Sequence, residues 1–380
     1  MTRFISTPSR RCFARYNVRM RRLALLIALA VPALAHGADG GLGAARDRYL
    51  PAAQAAYANT PDGAQARYDA GRDLVEAVLA VGRVPEGQRA LRADLLSRGR
   101  AQVARAEALD RDDGFRSVAP LAPLPRSAAS VGLRRPDPTL ARRLATAATS
   151  ANGAVGIWVH DLSTGRYAGY QQETRFAAAS TVKLGALLAG LRASPRLERS
   201  RWWYDVRQIG FWSSNLAANR LLSKLGYGAV ADGLRRLGMT SSTYPGPYRA
   251  TTAHRPPGPH TRVTTAHDLG RALHRLHAGA HGDTRALGLL GLSRGQAVAA
   301  LRVLASAQPV ADNAGLLRPW LPGATVAEKN GWLSDTRTTA AIVHRRGQAT
   351  IVVVELYRPD VTYAEAKRLG RRVLLAAGLL

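Results

Sequence analysis

Cysteine and lysine are the two residue types that this chain most lacks. Among 380 residues the only cysteine is Cys12, so no disulfide can form within the chain and no cluster of cysteines can ligate a metal. Only four lysines occur, and the other 50 of the 54 basic residues are arginine. Because arginine does not deprotonate in proteins, such a chain still needs lysine wherever an amine must lose its proton. Stability must come from packing, and the few lysines are candidate reactive groups.

Acidic residues are scarce as well. The chain has 26 Asp and Glu against 54 Lys and Arg, which gives a formal net charge of +28. This excess favours attraction to anionic polymers or lipids of a cell envelope, although a proteome-wide bias towards arginine and alanine would produce the same charge without any partner. No motif of interleaved aromatic and basic residues indicates nucleic-acid binding. With 46% hydrophobic residues, the composition is that of a globular protein.

The first 35 residues have the pattern of a secretory signal peptide. Residues 20–22 include two arginines, residues 23–31 form an apolar run, and small residues suited to a signal peptidase follow. The run is too short for a membrane span and no cysteine follows it, so we expect no stable membrane anchor after cleavage. A start at Met1 and a start at Met20 both fit the pattern. The prediction is a periplasmic or secreted protein.

Composition changes twice along the rest of the chain. Residues 36–116 are rich in Ala, Arg and Leu, and apolar residues recur at helical spacing, so we predict a small helical segment. Residues 117–138 are rich in Pro, Ala and Ser, which favours a linker rather than a packed element. Residues 139–380 mix strand and helix patterns and should form the main domain.

Strand patterns lie at both ends of this main domain, with helical patterns between them. They predict an α+β fold in which one antiparallel sheet is assembled from the two ends of the domain and a helical region lies between. The predicted strands are residues 154–161, 166–170, 325–329, 338–344 and 349–357. The predicted helices are residues 180–191, 215–225, 229–237, 266–278, 294–307 and 363–377.

A nucleophile and a candidate base occur three residues apart at Ser180 and Lys183. At the start of a helix this spacing puts both side chains on one face, so that the amine can reach the hydroxyl. The helix N-terminus would also stabilise negative charge that develops near Ser180 during acyl transfer. Alone, Ser-x-x-Lys is a weak motif, because chance supplies it readily. The other lysines are Lys224, Lys329 and Lys367, of which the first and last are interpreted as surface residues.

Two further motifs follow in order. Ser213-Ser214-Asn215 opens a predicted helix, and Lys329-Asn330-Gly331 ends a predicted strand. With the first motif they resemble the Ser-x-x-Lys, Ser-Asp-Asn and Lys-Thr-Gly set of the serine β-lactamase and penicillin-binding protein superfamily. The resemblance is strongest to class A β-lactamases and their serine hydrolase relatives, and it covers residues 139–380. Residues 36–138 have no recognisable counterpart in that family.

The resemblance assigns catalytic roles to three side chains. Ser180 would be the acylated nucleophile, Lys183 its base, and Ser213 would pass a proton to the leaving nitrogen. The backbone N–H groups of Ser180 and Trp332 would form the oxyanion hole. No metal and no organic cofactor is implied.

A second group of residues would hold the substrate. By the same resemblance, Asn215 would bind the substrate amide, Lys329 would set the electrostatic field around the substrate carboxylate, and Gly331 would lie in the strand that lines the site. Asn330 could donate a hydrogen bond to that carboxylate. Arg337, on the next strand, could clamp it with two hydrogen bonds.

Three departures from the family pattern are visible near these motifs. Ser214 stands where the family has an Asp that braces the loop, and Asn330 stands where it has Thr or Ser, so a hydroxyl towards the substrate carboxylate is lost. Only 33 residues separate Ser180 from Ser213, fewer than in class A enzymes, so part of the helical region should be missing or rebuilt. Aromatic residues crowd this stretch and either wall the pocket or simply pack: Trp202, Trp203, Phe211 and Trp212.

The largest departure concerns hydrolysis of the acyl-enzyme. Class A enzymes use a glutamate on a loop between the second and third motifs, yet no glutamate occurs between Glu198 and Glu328. The corresponding loop, roughly residues 244–263, contains His254 and His260, either of which could be a substitute base or merely exposed. A metal site is not indicated, because no carboxylates or cysteines cluster with the four histidines that have partly helical spacing. These are His267, His274, His277 and His281.

These features predict an exported serine hydrolase that forms an acyl-enzyme at Ser180, with its deacylation in doubt. The substrate would be a small β-lactam or a peptidoglycan-derived molecule. A D-alanyl-D-alanine peptidase, or another cell-wall amidase or esterase, is an alternative for which the missing glutamate is no defect. A catalytically weak envelope-binding protein is the alternative from another class. Retention of Lys183 and Lys329 in an arginine-rich chain argues against it.

Overall fold

The computed structural model describes most of the chain beyond residue 40. The described residues are 41–109, 120–127, 130–197, 200–248, 262–308 and 311–380. The predicted signal peptide at residues 1–35 lies outside them, and so do His254 and His260.

Three helices precede the main domain, in the segment predicted to be helical. They are α1 (Leu42–Gln54), α2 (Pro61–Ala80) and α3 (Arg89–Leu109). Their shared core includes Leu74 and Val78 of α2 and Leu95 of α3. Helices α2 and α3 meet at Gly71 and Gly99, where a Cβ on Gly71 would lie 2.6 Å from the Gly99 carbonyl oxygen. Glycine is required there because any side chain would push the two helices apart.

Eight strands form in the described part of the main domain. They are β1 (Arg135–Pro136), β2 (Ala154–Asp161), β3 (Arg166–Tyr170), β4 (Phe176–Ala177), β5 (Val263–Thr264), β6 (Thr325–Trp332), β7 (Thr336–Arg345) and β8 (Gln348–Tyr357). Six of them form one sheet in the order β1-β3-β2-β8-β7-β6, and β4 pairs with β5. All pairs are antiparallel except β1 with β3. The predicted α+β fold, with a sheet assembled from both ends of the domain, is confirmed.

Nine α-helices belong to the described part of this domain. They are α4 (Pro138–Thr149), α5 (Lys183–Arg192), α6 (Trp203–Trp212), α7 (Asn215–Leu225), α8 (Tyr227–Leu237), α9 (Ala266–Ala280), α10 (Thr284–Leu290), α11 (Arg294–Ala305) and α12 (Tyr363–Ala376). Helices α4, α6 and α10 were not predicted. Within the described ranges no single helix has the length and apolar character of a membrane span, although the bent pair α10 and α11 meets that test jointly.

The two faces of the six-stranded sheet bury different layers. Helices α5, α9 and α11 pack on one face, and helices α4 and α12 pack on the other. Side chains alternate between these layers along β7, where Ala340 and Ile342 join the first core and Ala341 and Val343 join the second. The same alternation decides which side chains of β6 and β7 can reach the helical layer that carries α5.

The segment predicted to be a linker, residues 117–138, packs on the main domain wherever it is described. Arg302 of α11 donates to the carbonyl oxygen of Leu121 at 3.0 Å, and the Ala122 backbone N–H donates to Ser306 Oγ at 2.7 Å. Further on, β1 adds an edge strand to the sheet. Side chains of the domain, rather than a local helix or hairpin, satisfy these backbone groups of Leu121 and Ala122.

Candidate active site

The candidate nucleophile lies in a tight turn between β4 and α5. Ala179 has a left-handed backbone with φ of 45°, and the α-helix begins only at Lys183, because residues 180–182 form turns. The backbone N–H of Thr181 and its Oγ1 both donate to the Ala178 carbonyl oxygen, at 3.0 Å and 2.7 Å. The turn holds Ser180, which keeps 9% of its surface exposed, at the N-terminus of a buried helix.

Lys183 joins the first motif to the second. Its side chain is fully buried, and Nζ donates to the backbone carbonyl oxygen of Ser213 and to Oδ1 of Asn215, the latter at 2.5 Å. One amine therefore contacts both ends of the Ser-Ser-Asn motif. The structure brings the predicted base and the predicted amide-binding residue into direct contact.

The second motif is the sharp connection between α6 and α7. Ser213 ends α6 in a left-handed conformation with φ of 59°, and Ser214 caps α7 by accepting from the backbone N–H of Ala217 at 3.0 Å. Serine and aspartate are both strong N-cap residues, since each offers a side-chain oxygen to the free N–H groups of the first turn. Replacement of the family's Asp by Ser214 therefore preserves helix capping at this position.

The third motif approaches the other two from the edge of the sheet. Lys329 is buried, and its Nζ donates to Ser213 Oγ at 2.6 Å and to the Asn330 carbonyl oxygen at 2.8 Å. Next along β6, a Cβ on Gly331 would lie only 3.0 Å from the Ser180 backbone nitrogen. Glycine thus allows β6 to pass close to the nucleophile turn. Trp332 follows directly, so its backbone amide is one residue from that contact.

The side chain of Asn330 is not where the resemblance implied. It lies on the opposite face of β6 from Lys329, where Nδ2 donates to the Asn313 carbonyl oxygen at 2.8 Å and Oδ1 accepts from Thr339 Oγ1 at 2.7 Å. Adjacent residues of a strand face opposite sides of the sheet, and both polar groups of the Asn330 side chain are already bonded on the side away from Lys329. The expected hydrogen bond from Asn330 to a substrate carboxylate is therefore wrong, and this side chain braces the sheet.

Arg337 is also on the far face. Strand register pairs it with Trp332, and its guanidinium donates to the backbone carbonyl oxygens of Leu333 and Thr336. The expected carboxylate clamp at Arg337 is therefore wrong. On the Lys329 face, β7 presents Ala340, which pairs with Lys329, and the buried Thr338, which pairs with Gly331.

Tyr248 is a site residue that the sequence patterns missed. Its ring centroid lies 4.4 Å from Lys183 Nζ, and its hydroxyl donates to the Ala179 carbonyl oxygen at 2.8 Å. The Asn219 side chain holds the Tyr248 backbone through both its N–H and its carbonyl oxygen, and the Arg262 guanidinium lies 3.9 Å from the ring. Burial raises the pKa of Tyr248, although Arg262 opposes the shift. The Tyr248 hydroxyl therefore stays protonated, and its ring lies over the Lys183 amine.

The aromatic residues of the shortened stretch pack rather than line an open pocket. Trp202, Phe211 and Trp212 are buried, and Trp202 belongs to the main core. The Phe211 backbone carbonyl oxygen accepts from the Asn313 amide at 3.0 Å. Of the two interpretations left open by the sequence, packing describes these three side chains.

The helical histidines lie apart from the candidate nucleophile. His267 contacts Glu173, while five other histidines gather between α9 and the sheet: His160, His274, His277, His281 and His344. Burial lowers the pKa of His160 and of His344 to about 4, and burial with the neighbouring imidazoles lowers that of His277 to about 2. Among the described residues no group of His, Cys, Asp and Glu could hold a metal ion.

Comparisons with known proteins agree with this fold. Residues 139–196 and 206–375, more than half of the chain, match the model of a family described as the β-lactamase enzyme family. A comparison with curated protein sequences gave no significant match.

Three solved structures share the fold at low sequence identity. PBP-A is 18% identical with a TM-score of 0.53, and the alignment covers 66% of this chain and 100% of PBP-A. A β-lactamase from Sphaerobacter thermophilus DSM 20745 is 23% identical with a TM-score of 0.51, covering 64% and 98%. A β-lactamase from Xanthomonas campestris pv. campestris is 20% identical with a TM-score of 0.52, covering 63% and 97%. With three ordered motifs brought together around Ser180 and a family match across the main domain, this chain belongs to the β-lactamase enzyme family, as a hydrolase of the serine β-lactamase and penicillin-binding protein superfamily.

Proposed function

We propose that this protein is an exported serine hydrolase that is acylated by β-lactams at Ser180 and releases the acyl group slowly. The observation that carries the proposal is the pair of buried lysines on the second motif. Lys183 contacts Ser213 and Asn215, and Lys329 contacts the Ser213 hydroxyl. Two amines fixed beside one serine suit proton transfer far better than they suit mere packing, because a buried amine is costly unless it is used or fully paired.

Acylation would proceed by exchange of one bond and one proton. Ser180 Oγ attacks the β-lactam carbonyl carbon and gives its proton to Lys183 Nζ. The backbone N–H groups of Ser180 and Trp332 donate to the oxyanion. When the C–N bond breaks, Ser213 Oγ passes its proton to the ring nitrogen and takes up the proton that Lys183 received from Ser180, while the Lys329 ammonium stabilises Ser213 Oγ. The proton lost by Ser180 balances the proton gained by the nitrogen.

The slow release follows from Tyr248. Hydrolysis of the ester needs a base that can accept a proton from water, and a partly buried phenol with a raised pKa, bonded to the Ala179 carbonyl oxygen, cannot supply one. Its ring also lies over Lys183, with the ring centroid 4.4 Å from Nζ. A mutant of PBP-A is known as an acyl-enzyme complex with penicillin G, which supports a lasting ester on this fold.

A D-alanyl-D-alanine peptidase, or another cell-wall amidase or esterase, remains the second candidate. It uses the same acylation groups, and Tyr248 in place of a carboxylate base is compatible with it. Export is supported by the signal-peptide pattern of residues 1–35, and the net charge, +28 for the whole chain and +21 once the seven arginines of residues 1–35 are removed, would hold the protein near anionic envelope polymers. N-terminal sequencing of the protein recovered from the periplasm or medium tests the export step.

Intact mass after incubation with benzylpenicillin tests the acylation step. We expect an adduct of one penicillin on the full chain, lasting well beyond mixing, and none on Ser180→Ala. Hydrolysis of a chromogenic cephalosporin, run in parallel, should be slow. Absence of both an adduct and turnover would contradict the proposal that β-lactams acylate Ser180. Cleavage of a D-alanyl-D-alanine peptide without an adduct would support the second candidate instead.

A further inference from the structure

Arg220 lies at the centre of a buried cluster of charges beside the second motif. It stands on α7, five residues after Asn215, and is 1% exposed. Its guanidinium forms ion pairs with four carboxylates, at distances of 3.0 to 3.4 Å. We call these the carboxylate cluster: Asp69, Asp73 and Glu76 of α2, and Asp205 of α6. Three of the four partners therefore come from the helices that precede the main domain.

Tyr68 of α2 also contacts the carboxylate cluster, through Asp205. It is fully buried, and its hydroxyl donates to Asp205 Oδ1 at 2.6 Å. Tyr68 also belongs, with residues of α2 and α3, to a small core that contains Leu216 of α7. Nearby, the Arg72 guanidinium lies 4.0 Å from the Tyr204 ring centroid. Helix α2 thus contacts both helices that flank the Ser213–Ser214 turn.

The geometry of that turn makes these contacts relevant to catalysis. Helix α6 ends at Ser213 and α7 begins at Asn215, so the relative position of the two helices sets where the Ser213 hydroxyl and the Asn215 amide stand. The ion pair of Arg220 with Asp205 ties α7 to α6 across the turn. Both residues are buried, and α2 supplies three carboxylates to Arg220 and the Tyr68 hydroxyl to Asp205.

We propose that α2 is a positioning element for the acylation reaction, and that Tyr68, Asp73 and Glu76 act through Arg220 and Asp205 to hold Ser213 and Asn215 against Lys183. The inference rests on the proposed acylation at Ser180 and extends it to a part of the chain outside the family match. Tyr68 and the three carboxylates of α2 are positioning residues, since they touch no reacting atom.

The test compares full-length variants under conditions where all are folded. Tyr68→Phe removes one hydroxyl from a buried site, and the double variant Asp73→Asn with Glu76→Gln removes two charges while keeping side-chain size. Asp94→Asn is the matched control, because Asp94 forms an exposed ion pair with Arg98 on α3, away from the cluster. Circular dichroism at the assay temperature confirms that each variant is folded.

The readout is the rate of acylation by a fluorescent penicillin, separated into noncovalent affinity and acylation rate constant. We expect the acylation rate constant to fall about tenfold in Tyr68→Phe and in the double variant, with affinity nearly unchanged, and no change in Asp94→Asn. A purely structural role would lower the melting temperature and leave that rate constant at the wild-type value, which would overturn the inference.

Amide hydrogen exchange provides a second readout that needs no activity. Exchange at residues 213–217 should accelerate in Tyr68→Phe and stay unchanged in Asp94→Asn. If the wild-type protein does not react with penicillin, the proposed function fails, while exchange still decides whether α2 orders the turn. Unchanged exchange in Tyr68→Phe would overturn the positioning role on its own.

Discussion

Lys329 Nζ donates to Ser213 Oγ at 2.6 Å, and this contact joins the edge strand of the sheet to the turn between α6 and α7. The two residues are 116 positions apart in the chain. Because the amine is 1% exposed, its charge acts on Ser213 with little screening by water. The contact stabilises the negative charge that develops on Ser213 Oγ when this hydroxyl gives its proton to the leaving nitrogen.

Lys329→Arg should lower the acylation rate constant by about 10²-fold. A guanidinium is larger than an ammonium group, remains charged and donates its hydrogen bonds in one plane. It therefore does not fit the buried position of the Lys329 amine or reproduce its hydrogen bond to Ser213. Stopped-flow acylation with a fluorescent penicillin measures the effect. Lys367→Arg, on the last helix, is the control and should react at the wild-type rate. Equal rates for the two variants would contradict a role for Lys329.

Ser214→Ala should lower the free energy of unfolding by about 1 kcal/mol, because the first turn of α7 loses its side-chain cap. Ser214→Asp should keep the stability of the wild type, since aspartate caps equally well. Urea denaturation followed by circular dichroism provides the comparison. Thr362→Ala removes the cap of α12 and should cost a similar amount without affecting acylation. A larger loss in Ser214→Asp than in Ser214→Ala would show that capping is not its function.

Tyr248→Ala should shorten the lifetime of the acyl-enzyme by about tenfold or more, because water gains access to Lys183. Tyr248→Phe keeps the ring over the amine and loses only the hydrogen bond to Ala179, so its acyl-enzyme should last as long as that of the wild type. Mass spectrometry over time after removal of excess penicillin measures both. Equal lifetimes in all three proteins would mean that Tyr248 does not limit hydrolysis.

The buried histidines should make the protein lose stability in mild acid. Burial lowers the folded-state pKa of His160 and His344 to about 4, below the ordinary value of 6.5. With respect to these two groups, the free energy of unfolding is therefore highest above pH 6.5. It falls as the pH drops from 6.5 towards 4, because the unfolded chain binds protons that the buried imidazoles of the folded chain do not bind. The melting temperature should fall between pH 7.5 and pH 5, by roughly 2–4 °C for each kcal/mol lost.

His277→Gln tests the origin of this acid sensitivity. The substitution removes the most strongly perturbed imidazole of the cluster and should flatten the dependence of melting temperature on pH. His267→Gln is the matched control, since His267 lies on the same helix but contacts Glu173 at the surface. A slope that changes equally in both variants would place the sensitivity elsewhere in the protein.

The sheet was largely predictable because long strands carry a strong local pattern. The predicted strand at residues 154–161 has the bounds of β2, and the three C-terminal strands were predicted at their places, each with shorter bounds than the structure shows. Helix α6 was not predicted, because its aromatic residues show no clear polar face. The start of α5 was placed three residues early, since the turn at Ser180 has no local sequence signature.

The site was predicted in part. The motif order led to Lys183, Ser213 and Lys329, which the fold brings into contact. Asn330 and Arg337 were assigned to the substrate, and the structure places both on the far face of the sheet. A strand has a period of two residues, so an error of one position moves a side chain to the opposite layer. Register is a property of paired strands, and a single motif does not reveal it.

The sequence by itself determined the chemistry available to this protein: one nucleophile-lysine pair, two further motifs in order, no disulfide and no glutamate between Glu198 and Glu328. These are properties of residue identity and short spacing. Only the tertiary structure decided that Tyr248 covers Lys183 and that α2 supplies Arg220 with carboxylates from about 150 positions away. Such contacts depend on how distant segments pack, which no local pattern encodes.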